Sequence, residues 1–412
     1  MQPHRLCPSS IESPRPPLDI ADIFRAHGPR YRQAHALKPE QREVMWAIEN
    51  CRTQVLGGHL DVCNLCGYSV PSFNSCRNRH CPKCQSLAQA QWIAQRQKRI
   101  LPTHYFHIVF TLPHELKPLA RNHPKQMYDL LFQTASRTLL EFAERRLGAQ
   151  LGLTAVLHTW TRELLFHPHL HCIATGGGIN HNQDEWKAAK QCYLFPVKAM
   201  SLLFRGKFLD ALQQAYREAE LDLSERTTSL DIPRQFQHLK DKLYTKQWVV
   251  YVKRPFGGPE QVFNYLGRYT HRVGISSRRL IHIDESEVRF ATKNGNAVTM
   301  SPEELIRRFL LHVLPKSFVK IRHYGLMASS NSTTKLEVAR RLLEENNPSP
   351  ATETESASSA VENKDWRERF REITGIDLSL CPQCKQGQML RYPLPEILLH
   401  SNLRTRSPPT SL

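Results

Sequence analysis

Six of the eleven cysteines fall between Cys51 and Cys84. The run reads Cys51, Cys63-Asn-Leu-Cys66, Cys76 and His80-Cys81-Pro-Lys-Cys84, with His59 between the first two cysteines. A C-x-x-C turn aims two sulfurs at one point, and the 14 residues between Cys66 and Cys81 match the separation found in zinc sites. Thiolate and imidazole together suit Zn²⁺. Cys51, His59, Cys63, Cys66, Cys76, His80, Cys81 and Cys84 make eight candidate ligands, enough for one or two Zn²⁺ ions, and spacing alone leaves their pairing open. Disulfides are disfavoured. The N-terminal Met-Gln-Pro-His-Arg-Leu-Cys-Pro has no signal-peptide core, so nothing directs the chain to an oxidising compartment. Cys172 and Cys192 stand isolated and are expected as small buried hydrophobes. Cys381-Pro-Gln-Cys384 resembles the start of a zinc ribbon, but two ligands do not make a site.

A zinc-folded block accounts for only a small part of 412 residues, and the rest suffices for further domains with a real core. No apolar run is long enough to span a membrane. The chain carries 56 Lys and Arg against 38 Asp and Glu, net +18, which favours a polyanionic partner, most simply nucleic acid. The surplus is uneven: net +7 in residues 1–100, net +11 in 101–326 and zero in 327–412. A phosphate-binding surface is therefore expected before residue 327.

Hydrophobic periodicity gives the outline. Residues 1–17 are Pro-rich and read as a flexible N-terminus. Residues 18–50 have helical spacing, the Cys block follows, and 85–100 reads as a helix ending in basic residues. His104–Leu112, Thr154–Thr161, Leu164–Gly176 and Gln247–Arg254 read as strands, and 124–147 and 198–221 as helices. Pro259 opens a helix to about Tyr269. Short strands follow at 280–283, 287–292 and 298–300, then a helix at 302–314. Irregular alternation of strands and helices predicts an α+β class. From 327 the chain turns polar, with a linker through 363 and a short helix at 364–374.

Two constellations carry chemistry. In His167-Pro-His169-Leu-His171, alternation along a strand puts His169 and His171 on one face, a two-tooth chelate for a divalent ion. In Tyr265-Leu-Gly-Arg-Tyr269, helical spacing presents two phenols in one direction, beside Arg268, His271 and Arg272. A metal at the histidines acts as a Lewis acid on a phosphodiester, and a tyrosine oxygen can attack phosphorus. No P-loop is present, and no ATP is expected because the covalent link keeps the bond energy.

Three blocks, Cys51–Cys84, Val109-Phe-Thr-Leu-Pro-His114 with His167–His171, and Tyr265–Arg272, resemble the two-tyrosine HUH transposases of rolling-circle insertion sequences, the insertion sequence ninety-one type. The likeness spans about residues 20 to 326. It implies cleavage and rejoining of single-stranded DNA at element ends and target, through a 5′-phosphotyrosine at Tyr265 and Tyr269. It implies Mg²⁺ or Mn²⁺ at His169 and His171. A third ligand is open among His158, His167 and His107, with His158 preferred because a ligand from the preceding strand avoids the distortion at Pro168. Arg268 and Arg272 are expected on flanking phosphates. The implied fold is a central antiparallel sheet flanked by helices, preceded by a small helical zinc-binding domain. The expected units are a zinc-binding DNA-recognition domain at 18–100, the HUH nuclease domain at 101–326, a polar linker at 327–363 and a C-terminal segment at 364–412 with a lone C-x-x-C. The expected setting is the bacterial cytoplasm at the nucleoid, with no membrane contact and with host replication proteins as further partners. Two rivals remain at this stage: a plasmid relaxase or rolling-circle replication initiator, and a non-catalytic zinc DNA-binding protein.

Overall fold

The computed structural model describes residues 18–84, 99–191, 193–221, 230–253, 274–293, 295–346, 371 and 377–394. The expected helices at 85–100, after Pro259 and at 364–374 lie outside the described residues or almost wholly so, as does Cys192.

A five-stranded antiparallel path, β11-β4-β5-β3-β7, forms the centre. Its strands are β3 (Tyr105–Thr111), β4 (Gln150–Trp160), β5 (Phe166–Ile179), β7 (Val250–Lys253) and β11 (Ile321–Gly325), with β6 (Trp186–Ala188) added on β5. β-Branched and aromatic residues dominate these runs, as a pleated, buried surface requires. Alternation sends Phe106, Ile108 and Phe110 of β3, Leu153, Ala155 and Leu157 of β4, and Leu170, Cys172 and Ala174 of β5 to one face, where all are buried. Helices α4 (Pro124–Leu147) and α5 (Val197–Arg217) pack against that face through Leu131, Phe132, Phe204 and Phe208. Gly148 ends α4 in the left-handed conformation that C-cap glycines adopt without strain. Helix α3 (Lys117–Asn122) precedes α4. Helix α6 (Pro233–Thr245) leads to the buried Trp248, whose indole N–H donates to the Leu243 carbonyl at 3.0 Å.

The opposite face is covered at one end. There α8 (Lys335–Asn346) lays Leu336, Ala339 and Leu343 over Tyr105, Ile173 and Leu326. The segment expected as a polar linker thus begins with a helix that closes part of the sheet. Its apolar positions are spaced for one buried stripe, and Glu337, Arg341, Glu344 and Glu345 are exposed. The other end of this face is where the histidines stand.

A second core joins distant parts of the sequence. α1 (Ile20–Ala34), started by the Asp19 side chain accepting from the Ala21 N–H, packs with α2 (Pro39–Asn50). Ile20, Ile23, Phe24, Met45 and Ile48 meet Val288, Phe290, Leu305, Ile306 and Phe309. The partners come from a small sheet, β10-β9-β8, and from α7 (Pro302–Leu310). Those strands are β8 (Leu280–Ile283), β9 (Val288–Ala291) and β10 (Ala297–Met300). The boundary expected at residue 100 is therefore bridged by a shared core. A third sheet, β12-β1-β2, pairs β1 (Gly58–Cys63) and β2 (Ser69–Phe73) with β12 (Met389–Pro393) from the C-terminal segment. Among the described residues no helix is long and apolar enough to cross a membrane.

Candidate active site and metal centres

On β5, Leu170 and Cys172 point into the core, so His169 and His171 point the other way. Register then selects their neighbours: His169 lies opposite His158 on β4 and Thr111 on β3. His158, His169 and His171 each bring a ring nitrogen within 4.8 Å of the others. The Nε2 atoms of His169 and His171 are 3.1 Å apart. Ligand nitrogens ~2.1 Å from one ion would be ~3.0 Å apart at right angles and ~3.4 Å apart in a tetrahedron. The observed spacing lets both imidazoles share one ion.

Hydrogen bonds orient the His169 and His171 rings. The Nδ1–H of His169 donates to the His167 carbonyl at 2.7 Å, which leaves Nε2 as the lone-pair donor. His171 Nδ1 is 2.8 Å from His107 Nε2, the same arrangement with a side-chain partner. The His158 ring stacks on Trp160 at 4.7 Å. Burial pushes His169 down to about 4, keeping it neutral and able to ligate at physiological pH. Of the alternative third ligands, His107 is buried against His171 behind the group. His167 has its ring 5.3 Å from His169 and contributes its carbonyl.

Tyr265, Tyr269, Arg268 and Arg272 lie outside the described residues. The described chain stops at Lys253, paired with His107 of β3, and resumes at Gly274, where an added Cβ would meet Leu164, His312 and Trp160.

The cysteines of the N-terminal block form two groups. Cys51, Cys76, Cys81 and Cys84 bring four sulfurs together, with Cys84 Sγ 3.5 Å from Cys51 and 3.6 Å from Cys76. Tetrahedral sulfurs ~2.3 Å from zinc would be ~3.8 Å apart, so this set fits Zn²⁺. Hydrogen bonds among the four sulfurs lower the Cys51 thiol and raise those of Cys76 and Cys81. Cys63 and Cys66 meet Cys381 and Cys384, so the C-terminal pair finds its partners at the other end of the chain.

His59 and His80 stand outside both groups. His59 Nε2 faces the Asp61 carboxylate at 3.2 Å. His80 Nε2 accepts the Leu314 N–H at 3.4 Å, and burial pushes it down to about 3. Proximity in sequence put them in the candidate set; strand direction and docking turn them elsewhere. Arg79, not singled out from sequence, docks this loop by donating to the Pro315 and Phe318 carbonyls. Trp160 was likewise missed; its place two residues after His158 on a strand was the available sign.

Residues 152–335 match a family model described as "Putative transposase", and residues 23–112 match one described as "Transposase zinc-binding domain". The chain is 45% identical to "Putative transposase y4qJ" of Sinorhizobium fredii (strain NBRC 101917 / NGR234), over 90% of this chain and 94% of that one. The chain belongs to the insertion sequence ninety-one family of transposases. It is also 29% identical to the "Transposase for insertion sequence element IS801" of Pseudomonas savastanoi pv. phaseolicola, over 71% of this chain and 72% of that one. No solved structure matches. The first matched segment contains His158, His169 and His171; the second contains Cys51 to Cys84. Membership favours a transposase over a plasmid relaxase or replication initiator, and it implies a DNA-cleaving enzyme with DNA as its substrate.

Proposed function

We propose that this transposase cleaves and rejoins single-stranded DNA at the ends of an insertion sequence during rolling-circle transposition, using tyrosine as the nucleophile. The observation that supports it best is the group of His158, His169 and His171, gathered and largely buried on one face of the sheet. A divalent cation held there would withdraw charge from a scissile phosphate, with Mn²⁺ better suited than Mg²⁺ to an all-imidazole set.

The chain's own residues do the rest. His167 and His107 hold the ligating rings by their Nδ1 atoms. The oxygen of Tyr265 or Tyr269 forms a bond to phosphorus as the bond from phosphorus to the 3′-oxygen breaks. The phenolic proton leaves, the released strand takes a proton as a free 3′-hydroxyl, and the 5′-phosphate stays on tyrosine. Attack by another 3′-hydroxyl reverses the step and joins strands with no ATP. The second tyrosine allows a second cut while the first end stays linked. Arg268 and Arg272 neutralise flanking phosphates. The cysteine-rich module positions DNA, supported by the positive surplus of residues 1–326.

The test is cleavage of labelled single-stranded oligonucleotides carrying the element's ends. His169→Ala with His171→Ala is expected to abolish cleavage in Mn²⁺ or Mg²⁺ and to leave DNA binding near that of the parent. Full cleavage by the double variant would remove the histidines from the chemistry.

A further inference from the structure

We propose that the two ends of the chain close a second structural zinc site: a zinc ribbon with one knuckle from Cys63 and Cys66 and the other from Cys381 and Cys384. The matched zinc-binding segment ends at residue 112 and does not reach the second knuckle. The proposal does not depend on the strand-transfer chemistry.

The sulfurs have the spacing of a tetrahedral site. Cys63 Sγ is 3.7 Å from Cys384 Sγ, and Cys66 Sγ is 3.7 Å from Cys381 Sγ, against ~3.8 Å for zinc thiolates. All four are free thiols. Each knuckle aims backbone N–H groups at sulfur, which favours the thiolate. Leu65 and Cys66 donate to Cys63 at 3.4 and 3.5 Å, and Gly387 donates to Cys384 at 3.3 Å. The knuckles are also tied to each other. Asn64 N–H donates to the Gln388 carbonyl at 3.0 Å, and Gln388 N–H donates to Asn64 Oδ1 at 2.8 Å. A Cβ on Gly387 would collide with Cys63 Sγ, so only glycine lets the second knuckle approach this closely.

The strands leading from the knuckles carry the same message. β12 pairs with β1 in antiparallel register from His59 opposite Pro393 to Cys63 opposite Met389. This makes β1 the central strand of three. Without β12 the β1–β2 hairpin would be an isolated two-stranded unit, a form that is marginal in water. The last described segment is therefore part of the N-terminal module, and a chain ending before residue 377 would lose one zinc and one strand there while its histidine group stayed intact.

Zinc content of the purified full-length chain tests this. Two Zn²⁺ per chain are expected for the parent and one for Cys381→Ser with Cys384→Ser. One is expected again for Cys63→Ser with Cys66→Ser, and still one when all four are Ser. Two zinc ions retained without Cys381 and Cys384, or the loss of a further ion in the fourfold variant, would overturn the proposal. Gly387→Val, with every cysteine present, is expected to lose the same single ion to a chelator faster than the parent; an unchanged rate counts against the site. Because serine variants can fail to fold, a second measurement keeps all the cysteines. A protease site is placed in the polar 347–360 stretch of the full chain and cut. The C-terminal fragment should co-elute with the remainder in zinc; separation with zinc still bound would refute the clasp.

Discussion

His107 sits one step back from the proposed metal position and fixes how His171 meets it. To offer the lone pair on Nε2, His171 must carry its proton on Nδ1, and His107 Nε2 lies 2.8 Å away to accept it. Burial, with Lys253 adding to it, pushes His107 down to about 3 and keeps it a neutral acceptor. His107→Ala is expected to weaken apparent Mn²⁺ affinity about 10- to 100-fold, as loss of such a supporting hydrogen bond typically does. Cleavage at saturating Mn²⁺ should recover, and His107→Gln, which retains an acceptor, should restore part of the affinity. A metal titration of DNA cleavage separates the two effects. An unchanged metal dependence, or a loss that saturating Mn²⁺ leaves in place, would deny His107 this positioning role. Which histidines could cooperate was partly legible in the sequence. The i, i+2 spacing of His169 and His171 puts both on one strand face, but His158 joins them only through the β4–β5 register, which spacing within one strand does not specify.

Elements with strong local periodicity were the readable ones. The helix expected at 124–147 coincides with α4, the run His104–Leu112 contains β3, and the run Leu164–Gly176 covers β5 up to its last three residues. Elements built by distant partners were not. β12, only five residues long, is a strand because β1 supplies its hydrogen bonds, and β11 is one because β4 lies beside it. α8 was hidden by the polar texture after residue 327, although Leu336, Ala339 and Leu343 form its buried stripe. Leu336 is 2% exposed in that cluster, so Leu336→Ala is expected to cost about 2–5 kcal/mol. Urea unfolding of the full-length chain reads this directly. A change within ~0.5 kcal/mol, the usual range for a surface site, would mean that α8 is not docked on the sheet.

Across the whole molecule, chemistry and support are drawn from opposite ends of the sequence. The N-terminal helices share a core with β9 and α7, the first cysteine group docks through Arg79 beside β11, and the second group gathers cysteines from both chain ends. Long-range closure of this kind leaves little trace in local composition. It is also why the C-x-x-C at 381 read as solitary. One face of the sheet carries the main apolar core, and the other carries the largely buried histidine group. Lys253 pairs with His107, and Gly274 lines one cavity with Trp160. The most direct test of tyrosine-mediated strand transfer removes the proposed nucleophiles. Tyr265→Phe with Tyr269→Phe removes two oxygens and keeps both rings. Parent and variant are incubated with labelled single-stranded DNA carrying the element's ends, in Mn²⁺, and resolved on a denaturing gel. The parent should give a covalent protein–DNA adduct, each single variant should give less joined product, and the double variant should give no adduct. An adduct that persists in the double variant would place the nucleophile on another residue.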